Sequence, residues 1–271
     1  MPELPEVETT RRGIAPHVLD RRVTRVAVRQ PQLRWPVSPE LNSALAGEAF
    51  SAVARRGKYL LLRSTYGTLL IHLGMSGSLR ILPIDAPAGK HDHVDIEFEN
   101  NTLLRFTDPR RFGSFVWVAG NEVRHKLLNT LGPEPLGEEF DGDCLYRRSR
   151  GRKIPVKAFI MDSKVVVGVG NIYANEALFA AGISPVRPAG RISRQRYQQL
   201  AREIKAVLER AIAAGGTTLR DFTNSQGNPG YFKQSLNVYG RAGQPCRQCG
   251  AELREVRFGG RSTVYCLQCQ K

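Results

Sequence analysis

The sequence predicts an α+β protein: an N-terminal β-sandwich with flanking helices, then a helical domain that ends in a cysteine-bearing β-hairpin. Three observations carry this reading. Short strands separated by turn residues fill Val23 to Val118, the apolar period turns helical after Asn121, and four of the five cysteines fall in the last 26 residues. A chain of 271 residues with 41% apolar and 24% charged side chains can bury a sizeable core, which excludes disorder over most of its length.

The elements follow in order. A short helix is expected first, because Pro5 suits a first helical position, Glu6 and Glu8 favour the positive end of the helix dipole, and Arg11 and Arg12 come further along. Val94-Asp95-Ile96-Glu97-Phe98 alternates with a period of two, whereas Tyr59 to Leu62, Leu69 to Leu73 and Phe115 to Val118 are continuous apolar strands. Val123 to Leu131 reads as a brief helix, and Gly132-Pro133-Glu134-Pro135 as the start of a linker. A helix is expected from Asn171 to Ala181, stopped by Gly182. Ser193 can cap a longer one through Ala214, with Leu200, Ile204, Leu208 and Ala211 on one face and Gly215-Gly216 ending it. The domains expected from this pattern are 1–131, a linker over 132–152, a helical domain over 153–236 and a cysteine-bearing segment over 237–271.

Lysine and arginine total 40 against 25 acids, a net charge of +15 and a pI near 10.1, so a polyanion is the leading partner class, and among polyanions nucleic acid. No run of 18 apolar residues is available for a membrane span. Met1-Pro2-Glu3-Leu4-Pro5-Glu6 lacks the basic and apolar regions of a secretory signal, which points to a cytoplasmic address.

Cys246-x2-Cys249, 16 residues, then Cys266-x2-Cys269 is the spacing of a four-thiolate structural zinc site, while Cys144 stands apart. Between the pairs, Val256 and Phe258 lead into Gly259-Gly260 and Thr263-Val264-Tyr265 lead out, a hairpin with a two-glycine turn that sets Arg261 beside its tip. Four protein ligands leave such a metal no open position, so it supports a fold and catalysis lies elsewhere. A second basic feature is the run Arg147, Arg148, Arg150, Arg152, Lys153 and Lys157, six cations without an acid among them. It precedes Gly168-Val169-Gly170-Asn171, where glycines open a helix and leave backbone N–H groups that can bind phosphate.

No Ser-His-Asp or Cys-His constellation is evident, which leaves the amino terminus. A small second residue allows removal of Met1, and Pro2 then presents a secondary amine that can add to a sugar aldehyde carbon as a Schiff base. Only a neutral amine attacks, and an α-amino pKa of about 7.8 against about 10.4 for lysine makes the neutral form roughly 400-fold more abundant at neutral pH. A nearby cation such as Lys58 lowers the amine pKa further, while Glu3 and Glu6 supply carboxyls for proton transfer.

Five segments now form one pattern: Pro2-Glu3-Leu4-Pro5-Glu6-Val7-Glu8-Thr9, His72-Leu73-Gly74-Met75-Ser76-Gly77-Ser78, Asp108-Pro109-Arg110-Arg111-Phe112-Gly113, Val169-Gly170-Asn171-Ile172-Tyr173-Ala174, and the four-cysteine finger. Over essentially its full length the chain resembles the bacterial formamidopyrimidine-DNA glycosylases. That resemblance implies a helix-two-turn-helix element in the helical domain and a base-excision repair enzyme. Such an enzyme removes oxidised purines, notably 8-oxoguanine opposite cytosine and formamidopyrimidines, then cuts the strand by β- and δ-elimination. By the same likeness Pro2 is the nucleophile at C1′, and Glu3 donates and accepts protons at the deoxyribose. Lys58 is the lysine near the lesion and its phosphates, and Arg261 is the finger-tip arginine that grips phosphate and acts in elimination. His91, Arg110 and Arg152 match DNA contacts, and Asn171 opens a helix of the helix-two-turn-helix. Met75, Arg110 and Phe112 resemble three side chains that fill the hole left by an everted nucleotide. The segment from Thr217 to Tyr231 resembles a loop that closes over the everted base. Arg150 and Arg152 stand where lysines are expected, a departure that keeps the charge.

The partner so implied is double-stranded DNA holding an oxidised purine or an abasic site, with one structural zinc as cofactor. A monomer suits a single asymmetric lesion. Two other readings stay open at this point. A noncatalytic zinc-finger DNA-binding protein explains the charge and the closed metal site. An endonuclease VIII-type pyrimidine glycosylase is separated by Leu4, where that branch typically carries glycine.

If six or more of these cations meet phosphates, duplex affinity falls roughly 10³-fold or more between 50 and 200 mM salt. A fluorescence-anisotropy titration across that range measures the slope, and a flat response would reduce the basic run to a solvated surface.

Overall fold

The computed structural model describes residues 2–217 and 235–271. These form two compact units, 2–129 with 214–217 and 130–213 with 235–271.

The first unit begins with α1 (Leu4–Val18), for which Glu3 is the N-cap. Strands β1 (Val23–Val28), β2 (Ala52–Arg56), β3 (Tyr59–Arg63), β4 (Gly67–His72), β5 (Ser78–Pro83), β6 (Asp92–Phe98), β7 (Thr102–Thr107) and β8 (Ser114–Ala119) follow, with a short α2 (Leu41–Leu45) after β1. They make two antiparallel four-stranded sheets, ordered β1-β6-β7-β5 and β2-β3-β4-β8. Alternate residues from both sheets meet in one core: Val94, Ile96, Leu104 and Phe106 from one, Leu60, Leu62, Leu69, Ile71 and Phe115 from the other. Val7, Ile14 and Val18 of α1 close that core, each contributing roughly 1.5–3 kcal/mol as apolar surface leaves water.

Two expectations change here. The first helix is 15 residues long, with Pro5 in its second position and Pro16 accommodated in its last turn. Val123 to Leu131 holds only a single 3-10 turn, Glu122–Arg124, among turns. The alternation of β6 also misleads about its polar face. Asp95 is buried, taking two bonds from Arg105 (2.9 and 2.8 Å) and one from Arg29 (2.6 Å). Arg105 donates in turn to the carbonyls of Pro87 (2.8 Å) and Ala86 (3.0 Å), so the β5–β6 connection covers this face and is tied to the sheet by hydrogen bonds from an ion-paired arginine.

In the second unit α3 (Gly142–Ser149), α4 (Val156–Ile160), α5 (Asn171–Ala180) and α6 (Arg194–Ala213) precede the hairpin β9 (Arg254–Phe258) and β10 (Arg261–Tyr265). Residues 132–152, expected as a linker, contain α3, which packs on α6 so closely that a Cβ on Gly142 would lie 2.3 Å from the Gln198 backbone. The Ser193 hydroxyl accepts from Arg196 N–H (3.3 Å) and caps α6 as its sequence predicts. Gly215 and Gly216 follow the helix with positive φ. Among the described residues no helix is long and apolar enough to cross a membrane.

One ion cluster holds α1 to the second sheet. Burial raises the Glu8 pKa, but hydrogen bonds from Arg11 and Arg12 and the charges of Arg11 and Arg55 outweigh it, holding the carboxyl at about 2. Because the folded value lies below the unfolded one of about 4.5, this stabilisation is full above pH 4.5 and is lost as pH falls towards 2. Glu8→Gln is expected to lower stability at pH 7 by about 1–3 kcal/mol, discounted for partial solvation. In thermal unfolding the difference between variant and wild type should close between pH 4.5 and 2.

Candidate functional site

Pro2 and Glu3 are both buried at the head of α1. Glu6, with no exposed surface, reaches back so that its Oε2 accepts from Glu3 N–H (2.8 Å), half of a reciprocal capping box with Glu3. Its Oε1 accepts from Thr217 N–H (2.8 Å). Both oxygens of Glu6 thus hold backbone, which makes it a clamp on the terminal segment and not the proton carrier that sequence reasoning allowed. Lys58 follows the tight β2–β3 turn at Gly57, whose φ is +58°. Arg55 ties that turn to α1, donating to the Glu8 carboxylate (3.2 Å) and to the Gly57 carbonyl (2.9 Å). Burial first, then the charges of Lys58 and Arg34, push the His72 pKa down to about 4. The neutral ring lies 4.9 Å from Tyr59, and its Nδ1 accepts from Gly74 N–H (2.9 Å), fixing the turn that carries Met75.

Three more expected residues come together in the same unit. Met75 is 37% and Phe112 41% exposed, so neither belongs to the sandwich core. The Arg110 guanidinium carbon lies 5.0 Å from the Phe112 ring centroid. Their turns touch through backbone: a Cβ on Gly74 would lie 2.4 Å from the Phe112 carbonyl carbon, and Gly74 itself has φ +65°. His91 is exposed on the connection before β6.

In the second unit the basic run divides. Lys157 is 3% exposed and donates to the Ser262 carbonyl and to Thr263 Oγ1 (2.7 Å each), so it anchors the hairpin. Arg148 and Arg150 donate to the carbonyls of Lys164 (2.7 Å) and Ile192 (2.9 Å), while Arg152 and Lys153 are exposed. Gly170 is the N-cap of α5, and Asn171, the first residue of that helix, has a buried Oδ1 with no hydrogen-bond partner among the described residues. Gly259 and Gly260 both take positive φ, the mirror-image turn expected of a glycine pair. Arg261 opens β10 opposite Phe258 and, with Lys157, Met161 and Phe258, lines a cavity of about 260 Å³.

The cysteine Sγ atoms of Cys246, Cys249, Cys266 and Cys269 all lie within 4.8 Å of one another, with Cys246 to Cys269 at 3.9 Å and Cys249 to Cys266 at 3.4 Å. A tetrahedral zinc with bonds of about 2.3 Å needs edges of about 3.8 Å, so the donor set fits that metal. Around it Leu253, Val264 and Phe179 form a small apolar cluster against α5. Sequence reasoning passed over Glu176, whose buried carboxylate accepts from the N–H groups of Asn237 (2.8 Å), Val238 and Tyr239 (2.9 Å each) and so fixes the irregular segment entering the finger. Asp108, named in the sequence only as the first residue of a family segment, carries no role there beyond its place before Pro109 in a turn.

Profiles of three domains match this chain in order: the formamidopyrimidine-DNA glycosylase N-terminal domain at residues 1–115, the formamidopyrimidine-DNA glycosylase H2TH domain at 131–223, and a zinc finger found in FPG and IleRS at 243–271. The chain belongs to the formamidopyrimidine-DNA glycosylase family. It is 61% identical to the formamidopyrimidine-DNA glycosylase of Stutzerimonas stutzeri and 60% identical to that of Pseudomonas entomophila, each alignment covering all of both chains. Among solved structures, a Lactococcus lactis FPG mutant in complex with a Fapy-dG containing DNA superposes with a TM-score of 0.93 at 32% identity over all of both chains. The MutM (FPG) protein of Thermus thermophilus gives 0.89 at 38% identity, over 99% of this chain and 98% of that one. The mixed α+β fold and the structural zinc expected from the sequence agree with this family. The expected closing loop, from Thr217 to Tyr231, lies outside the described residues beyond Thr217.

Because the ligands come together only when the hairpin is folded, metal and hairpin are one equilibrium. Native mass spectrometry is expected to find one zinc per chain. Chelation should abolish hydrogen-exchange protection across β9 and β10 while the sandwich strands keep theirs.

Proposed function

We propose that this formamidopyrimidine-DNA glycosylase excises oxidised purines from duplex DNA, 8-oxoguanine opposite cytosine and formamidopyrimidines among them, through a Schiff base on Pro2. The observation that carries the reading is the pinned terminus: a proline next to an N-capping Glu3 whose main chain is held by the fully buried Glu6. Once Met1 is removed, the Pro2 nitrogen attacks C1′ and the bond to the damaged base breaks. Glu3 protonates the sugar oxygen as its ring opens, leaving an iminium. Loss of a C2′ proton then expels the 3′ phosphate, and a second elimination expels the 5′ phosphate, which are the β and δ steps.

The other residues take supporting roles. Lys58 keeps the amine neutral by like-charge repulsion and neutralises lesion phosphates. Swinging a nucleotide out of the stack costs a few kcal/mol, offset when Phe112 enters the base step, Met75 fills the irregular gap and Arg110 bonds the orphaned cytosine. His91, Arg152, Asn171 and Arg261 hold backbone phosphates, Asn171 by donating N–H groups at a helix N-terminus and Arg261 on the zinc-braced hairpin, where it also assists elimination. The domain roles proposed are catalysis for 1–131 and DNA binding for the helix-two-turn-helix and finger. Such an enzyme works on the bacterial chromosome, in the cytoplasm and at the nucleoid.

Borohydride reduction in the presence of an abasic-site duplex is expected to trap a covalent adduct of the wild-type protein. Pro2→Gly, or one residue added before Pro2, should cut trapping by at least about 10²-fold while duplex binding stays within a few fold. An adduct formed equally by these variants would falsify Pro2 as the nucleophile.

A further inference from the structure

Asp108 has no exposed surface, yet it makes six hydrogen bonds to three separate segments. Its Oδ1 accepts from the Ser76 hydroxyl (2.7 Å) and from Arg110 N–H (3.3 Å), and its Oδ2 from Gly113 N–H (2.8 Å). Its main-chain N–H donates to the His91 carbonyl (3.0 Å), and its carbonyl accepts from Arg111 N–H (3.2 Å) and His93 Nε2 (2.7 Å). The three segments so joined carry Met75, the pair Arg110 and Phe112, and His91.

We infer that Asp108 is the positioning residue that locks Met75, Arg110 and Phe112 into one rigid wedge, so that all three enter the vacated space together. The inference rests on the excision reading above. Two features require such a lock. Arg111 takes φ +57°, a left-handed conformation that disfavours a side chain with a Cβ, so this turn holds its shape only while its neighbours fix it. Met75 and Phe112 are apolar and substantially exposed, so nothing packed over them keeps their turns from collapsing onto the sandwich. A carboxylate suits the centre of this arrangement because every group facing its side chain is a donor.

An amide cannot replace it fully. In Asp108→Asn the oxygen can keep the Gly113 bond and the NH2 can donate to Ser76 Oγ, but Arg110 N–H then faces a donor. Asp108→Ala leaves all three donors without their partner. Ser76→Ala removes one bond and tests the lock with little risk to folding.

Single-turnover release of 8-oxoguanine from a duplex, and borohydride trapping on a single-stranded abasic oligonucleotide, separate this role from a structural one. The single strand has no orphaned partner base and no hole to fill. Expected are excision rates reduced about tenfold or more in Asp108→Ala and severalfold in Ser76→Ala and Asp108→Asn, with single-strand trapping within about twofold of wild type. A folded variant set that excises at the wild-type rate overturns the inference, and so do equal losses on both substrates. If Asp108→Ala does not fold, Ser76→Ala decides between these outcomes alone. Wild-type protein that releases no base overturns the excision reading and this one with it, a result distinct from active wild type with unaffected variants.

Discussion

A chain terminus is ordinarily the loosest part of a protein, and a nucleophile placed there works only if that freedom is removed. Here the removal is done by α1. Its apolar face, through Val7, Ile14 and Val18, is part of the sandwich core, and the buried Glu6 carboxylate turns back to grip the Glu3 amide. Each half of that arrangement needs the other. Without the apolar face the helix has no fixed site, and without Glu6 two buried N–H groups, those of Glu3 and Thr217, would lose their acceptor at a cost of about 1–3 kcal/mol each.

The same device, a buried charged group gathering backbone from several segments, recurs through both units. Arg105 holds the β5–β6 connection, Asp108 the turns before β5 and after β7, Lys157 the finger hairpin and Glu176 the segment that enters it. None of these is a mere surface ion pair, which would contribute little. They are satisfied polar centres in positions where an apolar residue would leave loop amides or carbonyls unpaired. Loops that carry function have few apolar contacts to hold them, so polar centres of this kind do the work that packing does in the core.

This division also explains what could be read from the sequence. Periodicity reports packing, so the strands, the α6 face and the finger hairpin were legible, and thiolate spacing made the zinc site so as well. The terminal motif and the two Gly- and Pro-rich turns were legible through family likeness. Buried polar centres leave no periodic trace: Asp95 reads as a solvent-facing partner of Val94 and Ile96, and Lys157 as one more cation in a run of six. The α3 helix was hidden by its eight-residue length and by the prolines before it, although Asp141 caps it by accepting from Cys144 N–H (2.7 Å). Pro16 likewise obscured the true length of α1.

Arg110 rests against Phe112, its guanidinium over the ring, so two parts of the probe brace each other within the protein itself. A probe whose parts are arranged beforehand spends no rotamer entropy, of about 0.5–1.5 kcal/mol for each mobile side chain, every time it samples a base pair. The genome offers vastly more intact pairs than damaged ones, so that saving bears on how fast a long stretch of sound DNA can be searched.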